Sequence, residues 1–361
     1  MTESFFKNQL KVVELASVLA GPAVGLFFAE LGAEVIKIEN KKTGGDMTRS
    51  WKLPSEPSHS SYSAYYASVN WGKQTYLLDL EDAIDRKQAY QLLNDADIVI
   101  SNYQTKAAER LGVDYKTLSE HNPKLIFAQL NAFDENSKRP AFDVVLQAEA
   151  GFMYMNGEAN GPPVKMPVAL IDVLAAHQLK EGILLALLRR MQTGQGSYVS
   201  TSLFESAVAS LVNQATNWLM AGHIPQRMGT QHPNIAPYGD SYSCRDGKLI
   251  LLAVGTEKQF RNLCNVLKIS KLSDNVLFSS NGERVKNRVI LNQILSQQII
   301  NFDSTELLSR LESTSVPAAS IRNMQEVFEL DAAQSMILEE KLPDGTVSKR
   351  VKTVAFDLRE D

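Results

Sequence analysis

Residues 11–39 read KVVELASVLAGPAVGLFFAELGAEVIKIE, and this stretch decides the fold. Residues 11–15 (KVVEL) are a short, β-branched apolar run, which predicts a strand. Residues 16–21 form a turn of small residues, and Pro22 suits the first position of a helix, where its missing N–H costs nothing. The helix GLFFAEL is stopped by Gly32, and residues 33–38 (AEVIKI) make a second strand that runs into Glu39. Strand, helix and strand within about 30 residues form a βαβ unit, whose strands are parallel.

The same alternation continues outward. Residues 75–80 and 97–101 predict strands around a helix at 84–93. Two short helices near 106–111 and 114–121 precede a further strand at 124–130. Such a series predicts a doubly wound α/β domain. Residues 173–191 carry Leu179, Ile183, Leu184, Leu187 and Leu188 at helical spacing, and a second apolar helix is predicted over 203–220. Beyond Gly222 the texture changes. An Asp-Gly pair at 246–247 lies between apolar runs at 242–244 and 249–254 and predicts a hairpin, with helices following at 257–267, 287–301 and 305–313. The expected fold class is therefore α/β. A Rossmann-like large domain with a parallel sheet spans 1–222, and a smaller α+β domain spans 223–323. The segment 324–361 is expected to return to the large domain, with a strand at 351–356 inside its last charged stretch, 349–361.

Composition narrows the function. The chain has 361 residues, 44% hydrophobic and 22% charged, which supplies a core and excludes wholesale disorder. With 37 Lys and Arg against 41 Asp and Glu, the net charge of −4 excludes nucleic acid as a main partner, because phosphate neutralisation needs a basic surplus. Two cysteines, Cys244 and Cys264, cannot organise a disulfide scaffold or a thiolate zinc centre, and the five histidines show no metal-ligand spacing. No metal is expected. The N-terminus MTESFFKNQLK lacks a secretory pattern, and no stretch approaches the length of a membrane span, so a cytoplasmic protein with no membrane partner is expected.

The first turn offers Gly21 and Gly25 but no G-x-G-x-x-G, which argues against a nicotinamide enzyme although Glu39 ends the second strand. Its backbone N–H groups could receive an anionic ligand, and a plain tight turn reads equally well. Asp172 follows the apolar run 168–171 and precedes a long helix. It reads as an N-cap, and also as a carboxylate kept ionised and available as a nucleophile. No G-x-S-x-G and no cysteine or serine in a nucleophile context supports triad chemistry. His177 reads as a packed or partly exposed histidine, and the glycines of 193–197 as a helix C-terminus.

The ordered motifs resemble one family. They are Ala20-Gly21-Pro22, GAEVIKIE at 32–39, Gly45-Asp46 with Arg49, NWGK at 70–73 and Leu78-Asp79-Leu80. ADIVISNY at 96–103, Arg110-Leu111-Gly112, Gln147-Ala148 with Gly151, Asp172 and TGQG at 193–196 complete the set. Their order and spacing over residues 10–255 are similar to those of the class III CoA-transferases of the CaiB/BaiF type, which include formyl-CoA and carnitine-CoA transferases. The resemblance implies coenzyme A as substrate and product thioester, an acyl-CoA donor, a carboxylic-acid acceptor and an interlocked homodimer. It implies that Asp172 is the covalent nucleophile, passing through an aspartyl-acyl anhydride and an aspartyl-CoA thioester. It also implies that Val18, Leu19, Ala20, Lys73, Asn102, Tyr103 and Arg110 contact CoA, with Lys73 and Arg110 on phosphates.

Some positions depart from the family pattern. The glycine-rich segment of the family is replaced by NAFDENSK at 131–138, Leu19 and Asn40 stand where glutamine and a basic residue are usual, and the family's Pro- and Gly-containing tail is missing. Lys41 and Lys42 lie beside Asn40. A non-catalytic acyl-CoA binder is the alternative that these departures raise. The racemase branch of the family uses a histidine where this chain has Phe142, which exchanges no proton.

Overall fold

Strand β1 (Lys11–Leu15) pairs with β2 (Glu34–Asn40) on one side and β4 (Ile98–Ser101) on the other, with Val13 opposite Ile36 and Val99. These strands are the middle of a six-stranded sheet in a computed structural model, which describes residues 5–135, 137 and 139–358. With β3 (Gln74–Leu78), β5 (Ile126–Asn131) and β6 (Ser197–Ser202), the order is β3-β2-β1-β4-β5-β6, and every pairing is parallel. This is the dinucleotide-fold order, in which ligands bind beyond the carboxyl ends of the strands.

Alternation within the strands builds two cores. Val12, Val35, Ile98, Ile100, Ile126 and Ala128 face one side, together with Val24, Phe27 and Phe28 of α1 (Ala20–Glu30). Val13, Ile36, Ile38, Val99 and Phe127 face the other, against Ala89 and Leu93 of α3 (Ala83–Asn94). Helix α2 (Ala64–Asn70) comes between α1 and α3 in the chain and packs against α1. The second face is completed by α4 (Thr105–Leu111) and α5 (Tyr115–His121), which bury Ala108 and Leu118. The first face also receives α6 (Asp143–Glu149), after which α7 (Phe152–Met155) is a single turn. The 24-residue helix α8 (Leu170–Thr193) packs there through Ile171, Ala175, Leu179 and Ile183.

Three differences from the sequence reading bear on the architecture. The sixth strand, β6, is polar (SYVSTS) and gives no apolar run to read, yet its backbone pairs with β5 throughout. The apolar stretch 203–220 is two helices, α9 (Leu203–Ala209) and α10 (Val212–Ala221), broken where Val212 takes φ of +46°. The expected strand at 351–356 is instead β11 (Val347–Val351), hydrogen-bonded antiparallel to β10 (Ile337–Lys341) and not to the parallel sheet. Val354 beyond it joins the first core.

The described residues fall into two units. One is drawn from Met1–Phe152, Lys165–Ile224 and Ser335–Asp361, the other from Met153–Val164 and Pro225–Gln334. In the second, β7 (Tyr238–Ser243), β8 (Leu249–Ala253) and β9 (Ala318–Ser320) form an antiparallel sheet, with Gly247 at φ of +77° in the expected hairpin turn. Helices α11 (Glu257–Val266), α12 (Asn281–Lys286), α13 (Arg288–Ile299) and α14 (Ser304–Ser313) accompany it, and Phe260, Leu263, Leu291, Leu295 and Leu307 bury its core. Residues 153–164 group with this unit, where Arg227 donates to Tyr154 O and Gly229 N to Gly157 O.

Candidate active site

Asp172 lies inside the first turn of α8, and Ala169 occupies the N-cap without any side-chain bond. The sequence reading of Asp172 as the N-cap is thereby corrected. The cap comes from another helix: Asp143 Oδ1 accepts the Ile171 N–H at 2.7 Å, while its Oδ2 accepts from Gln147 Nε2 at 2.6 Å. Gln147 is buried and also takes the Met166 N–H at 2.8 Å, so α6 holds the approach to α8 in place. Asp172 itself is only 6% exposed. Burial, with the neighbouring Asp143 charge, pushes its carboxyl up to about 7, and no hydrogen bond among the described residues offsets this. With its carboxyl near 7, Asp172 is divided between the protonated and the ionised form at neutral pH. Desolvation wins because the carboxyl is largely removed from water and no group among the described residues hydrogen-bonds its charged form.

Tyr65 faces the same charges. Burial and the carboxylates of Asp172, Asp143 and Asp46 push its phenol up to about 12, and its ring meets Trp51 edge-on at 5.0 Å.

The first turn is held from below by a chain of buried charges. Val18 adopts φ of +73°, a conformation a β-branched residue rarely takes, and its N–H donates to Asp46 Oδ2 at 3.1 Å. Asp46 also lies 3.2 Å from Lys37 Nζ, which in turn donates to Glu14 Oε1 at 2.7 Å and to the Ala16 carbonyl at 2.7 Å. Glu14 Oε2 takes Lys73 Nζ at 2.7 Å. Burial opposes both charges of the middle pair. The attraction of Glu14 and Asp46 still holds Lys37 above its usual range, and Lys37 with Thr48 holds Asp46 below the usual carboxylate range. Backbone strain at a ligand-facing turn, paid for by a satisfied charge network, is a recurrent mark of a functional site.

The other candidate residues divide into two groups. Leu19 is the N-cap of α1, Ala20 is its buried first residue, and Asn102 joins them by exchanging two hydrogen bonds with Ser17, at 3.1 and 3.3 Å. Tyr103 follows directly, and its carbonyl accepts from Gln129 at 3.0 Å. Val18, Leu19, Ala20, Asn102 and Tyr103 therefore gather at the carboxyl ends of β1 and β4. Lys73 belongs underneath. Its side chain is fully buried and its ammonium is shared among Glu14, the Pro22 carbonyl at 2.8 Å and Asn70 at 3.2 Å, with burial pulling it down to about 8. Arg110 lies on the exposed rim, paired with Glu81. Glu39, the acidic strand end, is occupied by Arg49 at 2.7 Å and Tyr66 at 2.7 Å. It is not placed to receive a ribose.

The chain matches CoA-transferase family III over residues 8–360. It belongs to that family. It is 37% identical over 352 residues to the succinate–glutarate CoA-transferase of Agrobacterium fabrum, covering 95% of this chain and 87% of that protein. It is 33% identical over 330 residues to the succinyl-CoA:mesaconate CoA-transferase of Haloarcula hispanica, covering 89% of this chain and 82% of that one. The crystal structure of a CaiB/BaiF family protein from Brucella suis superimposes with a TM-score of 0.86 at 33% identity, over 97% of this chain and 92% of the other. This class III CoA-transferase has no helix among the described residues long and apolar enough to cross a membrane.

Sequence reasoning quoted Asp46 and Gln147 only as motif letters, and it missed Asp143 and Tyr65 as parts of the site. Nothing in the spacing of residues 143 and 172 announces that one caps the helix of the other. In the glycine-free segment 131–138, Phe133 is buried in the core, while Asn136 and Lys138 lie outside the described residues. Phe142 is 50% exposed and precedes α6 without a side-chain cap.

Proposed function

We propose that this class III CoA-transferase exchanges coenzyme A between short dicarboxylic acids, with Asp172 as its covalent nucleophile. The observation that carries this reading is a buried carboxylate, in the first turn of α8, that no group among the described residues hydrogen-bonds. Largely removed from water, the Asp172 carboxylate attacks the acyl-CoA carbonyl, the C–S bond breaks, and CoA thiolate leaves a mixed aspartyl-acyl anhydride. The thiolate then attacks the aspartyl carbonyl and releases the donor acid, which leaves an aspartyl-CoA thioester. The acceptor carboxylate attacks that carbonyl and expels the thiolate, and thiolate attack on the acceptor acyl carbon regenerates Asp172. Every step exchanges one acyl bond for another, so neither a metal nor a redox group is required. The first-turn residues Val18, Leu19 and Ala20, with Asn102 and Tyr103, are assigned to the CoA chain. Arg110 is assigned to a phosphate, while Lys73 is assigned to support the turn through Glu14. The dicarboxylate class comes from the names of the relatives.

The enzyme is further proposed to act in the cytoplasm as a homodimer. Leu185, Leu188 and Met191 on α8 and Trp218, Leu219 and Met220 on α10 are between 53% and 84% exposed, more apolar surface than helices of a monomer leave in water. Sedimentation as a monomer at micromolar concentration would remove the dimer.

The mechanism is tested by trapping. The enzyme is incubated with succinyl-CoA, quenched with hydroxylamine and digested, and the peptide containing Asp172 is weighed. A hydroxamate on Asp172 is the expected result. An unmodified peptide from enzyme that demonstrably turns over would overturn the covalent route.

A further inference from the structure

The hairpin of β10 and β11 grips both ends of α2. At its tip, Asp344 Oδ2 accepts the Ser60 hydroxyl at 2.9 Å and the Ser61 N–H at 3.0 Å, just ahead of Ser63, the N-cap of α2. On its strands, Glu340 Oε2 accepts the Gly72 N–H at 3.2 Å, and the Arg350 guanidinium lies 5.1 Å from the Trp71 ring centre. Trp71 and Gly72 directly follow the last residue of α2. Asp344 Oδ1 accepts the Thr346 N–H at 2.9 Å, so one side chain shapes the hairpin turn and ties it to the chain entering α2.

From α2, hydrogen bonds run on to the first turn. Ser63 Oγ donates to the Thr48 carbonyl at 2.6 Å, and Thr48 gives its hydroxyl to Asp46 Oδ1 at 2.8 Å. A second branch starts at Tyr66, whose hydroxyl donates to Glu39 Oε1 at 2.7 Å, while Glu39 Oε2 accepts the Asp46 N–H at 2.9 Å. Both branches end on Asp46, the residue that takes the Val18 N–H. Ser63, Thr48, Tyr66, Glu39 and Asp46 are all buried, so water cannot replace a bond that a shift of α2 would break.

We propose that Asp344 is a positioning residue for coenzyme A. By fixing the entry to α2, the hairpin tip keeps Thr48 and Glu39 on Asp46, and Asp46 keeps Val18 in the left-handed conformation of the first turn. The inference rests on the reading of that turn as a CoA contact. A β-branched residue in this conformation is strained and persists only where its surroundings over-determine it. When a support loosens, the turn populates ordinary conformations, and the affinity for CoA falls with the fraction that stays competent.

The test is calorimetric titration of the full-length enzyme with CoA, beside steady-state kinetics with succinyl-CoA. Asp344 is exposed, so truncating it leaves the core intact. Asp344→Ala is expected to weaken CoA about fivefold and to raise KM in step, with kcat within about twofold because Asp172 is untouched. Asp344→Asn keeps an acceptor oxygen and is expected to restore most of the affinity. Thr48→Val removes the hydroxyl bond to Asp46 further along the same path. The Asp344→Ala/Thr48→Val double variant is therefore expected to bind CoA about as weakly as the weaker single variant. An Asp344→Ala enzyme that melts lower but binds CoA like wild type, a loss confined to kcat, or a double variant whose two losses multiply would overturn the proposal and leave the CoA-transferase reading intact. Wild-type enzyme that binds no CoA would overturn both.

Discussion

The Asp143 carboxylate caps the helix that carries Asp172, and the same negative charge adds to burial in holding Asp172 near 7. Helix support and tuning of the nucleophile are thus one side chain's work. The reaction needs the carboxylate form, so kcat/KM should rise with pH through about 7 and level off above it. Asp143→Asn keeps an oxygen for the Ile171 N–H and removes the charge. Its midpoint should fall by about half a unit to one unit, and no further, because burial remains the larger cause. A pH–rate profile of both enzymes decides this, and an unmoved midpoint would detach Asp143 from the electrostatics.

The raised carboxyl of Asp172 has a cost in stability. An unfolded aspartate releases its proton near 3.8, whereas the folded one holds it to about 7. Between those values the folded state binds the extra proton, so stability falls as pH rises through the window and stays low above it. Asp172→Asn removes the ionisation. The variant should melt within error of wild type near pH 4 and several degrees higher at pH 8, with transfer abolished. Equal melting at pH 8 would mean that the carboxylate is solvated.

The parallel sheet is legible because buried parallel strands read as continuous apolar runs, and residues 11–15 and 97–101 do so. Strand β6 is not, since SYVSTS is polar and sits at the sheet edge, where only backbone pairing makes it a strand. The same asymmetry governs the site. Asp172 stands out by its place between an apolar run and a long helix, a local property. Its protonation depends on Asp143, 29 positions away, and on burial by elements that no local pattern reports. Lys73 shows the same limit, because no local pattern reports that Glu14, Pro22 and Asn70 surround its ammonium.

The two glycines of the 193–196 motif act for different reasons, and they predict different losses. Gly194 ends α8 at φ of +70° with its N–H on the Arg190 carbonyl and open space around its α-carbon. Gly194→Ala should cost about 1 kcal/mol, the usual penalty for that conformation. Gly196 is not in that region, but a β-carbon there would come within 2.0 Å of the Leu125 carbonyl oxygen, where β5 and β6 begin to pair. Gly196→Ala should therefore cost about 3 kcal/mol or more, because a backbone atom cannot rotate away. Melting temperatures of the two variants, side by side, test the assignment, and equal losses would contradict it.

Arg350 and Glu30 form an ion pair with 2% and 1% of their side chains exposed, at 2.6 Å, and this pair closes the chain's last strand onto α1. Glu30 also accepts the N–H groups of Thr353 at 3.0 Å and Val354 at 2.8 Å, so it organises the whole segment after β11. Lys180 of α8 is a further cation in its field. Taking away one partner strands a buried charge, and Glu30→Ala should cost about 3–5 kcal/mol. The loss should be local as well as global, with trypsin cutting at Lys349 to Lys352 well before the sheet unfolds. Replacing both partners with methionine should restore part of the stability, because apolar side chains leave no unpaired charge behind. A double variant as unstable as Glu30→Ala would place the penalty on the Thr353 and Val354 N–H groups, and make the backbone clasp, not the ion pair, the fastening of the C-terminal segment.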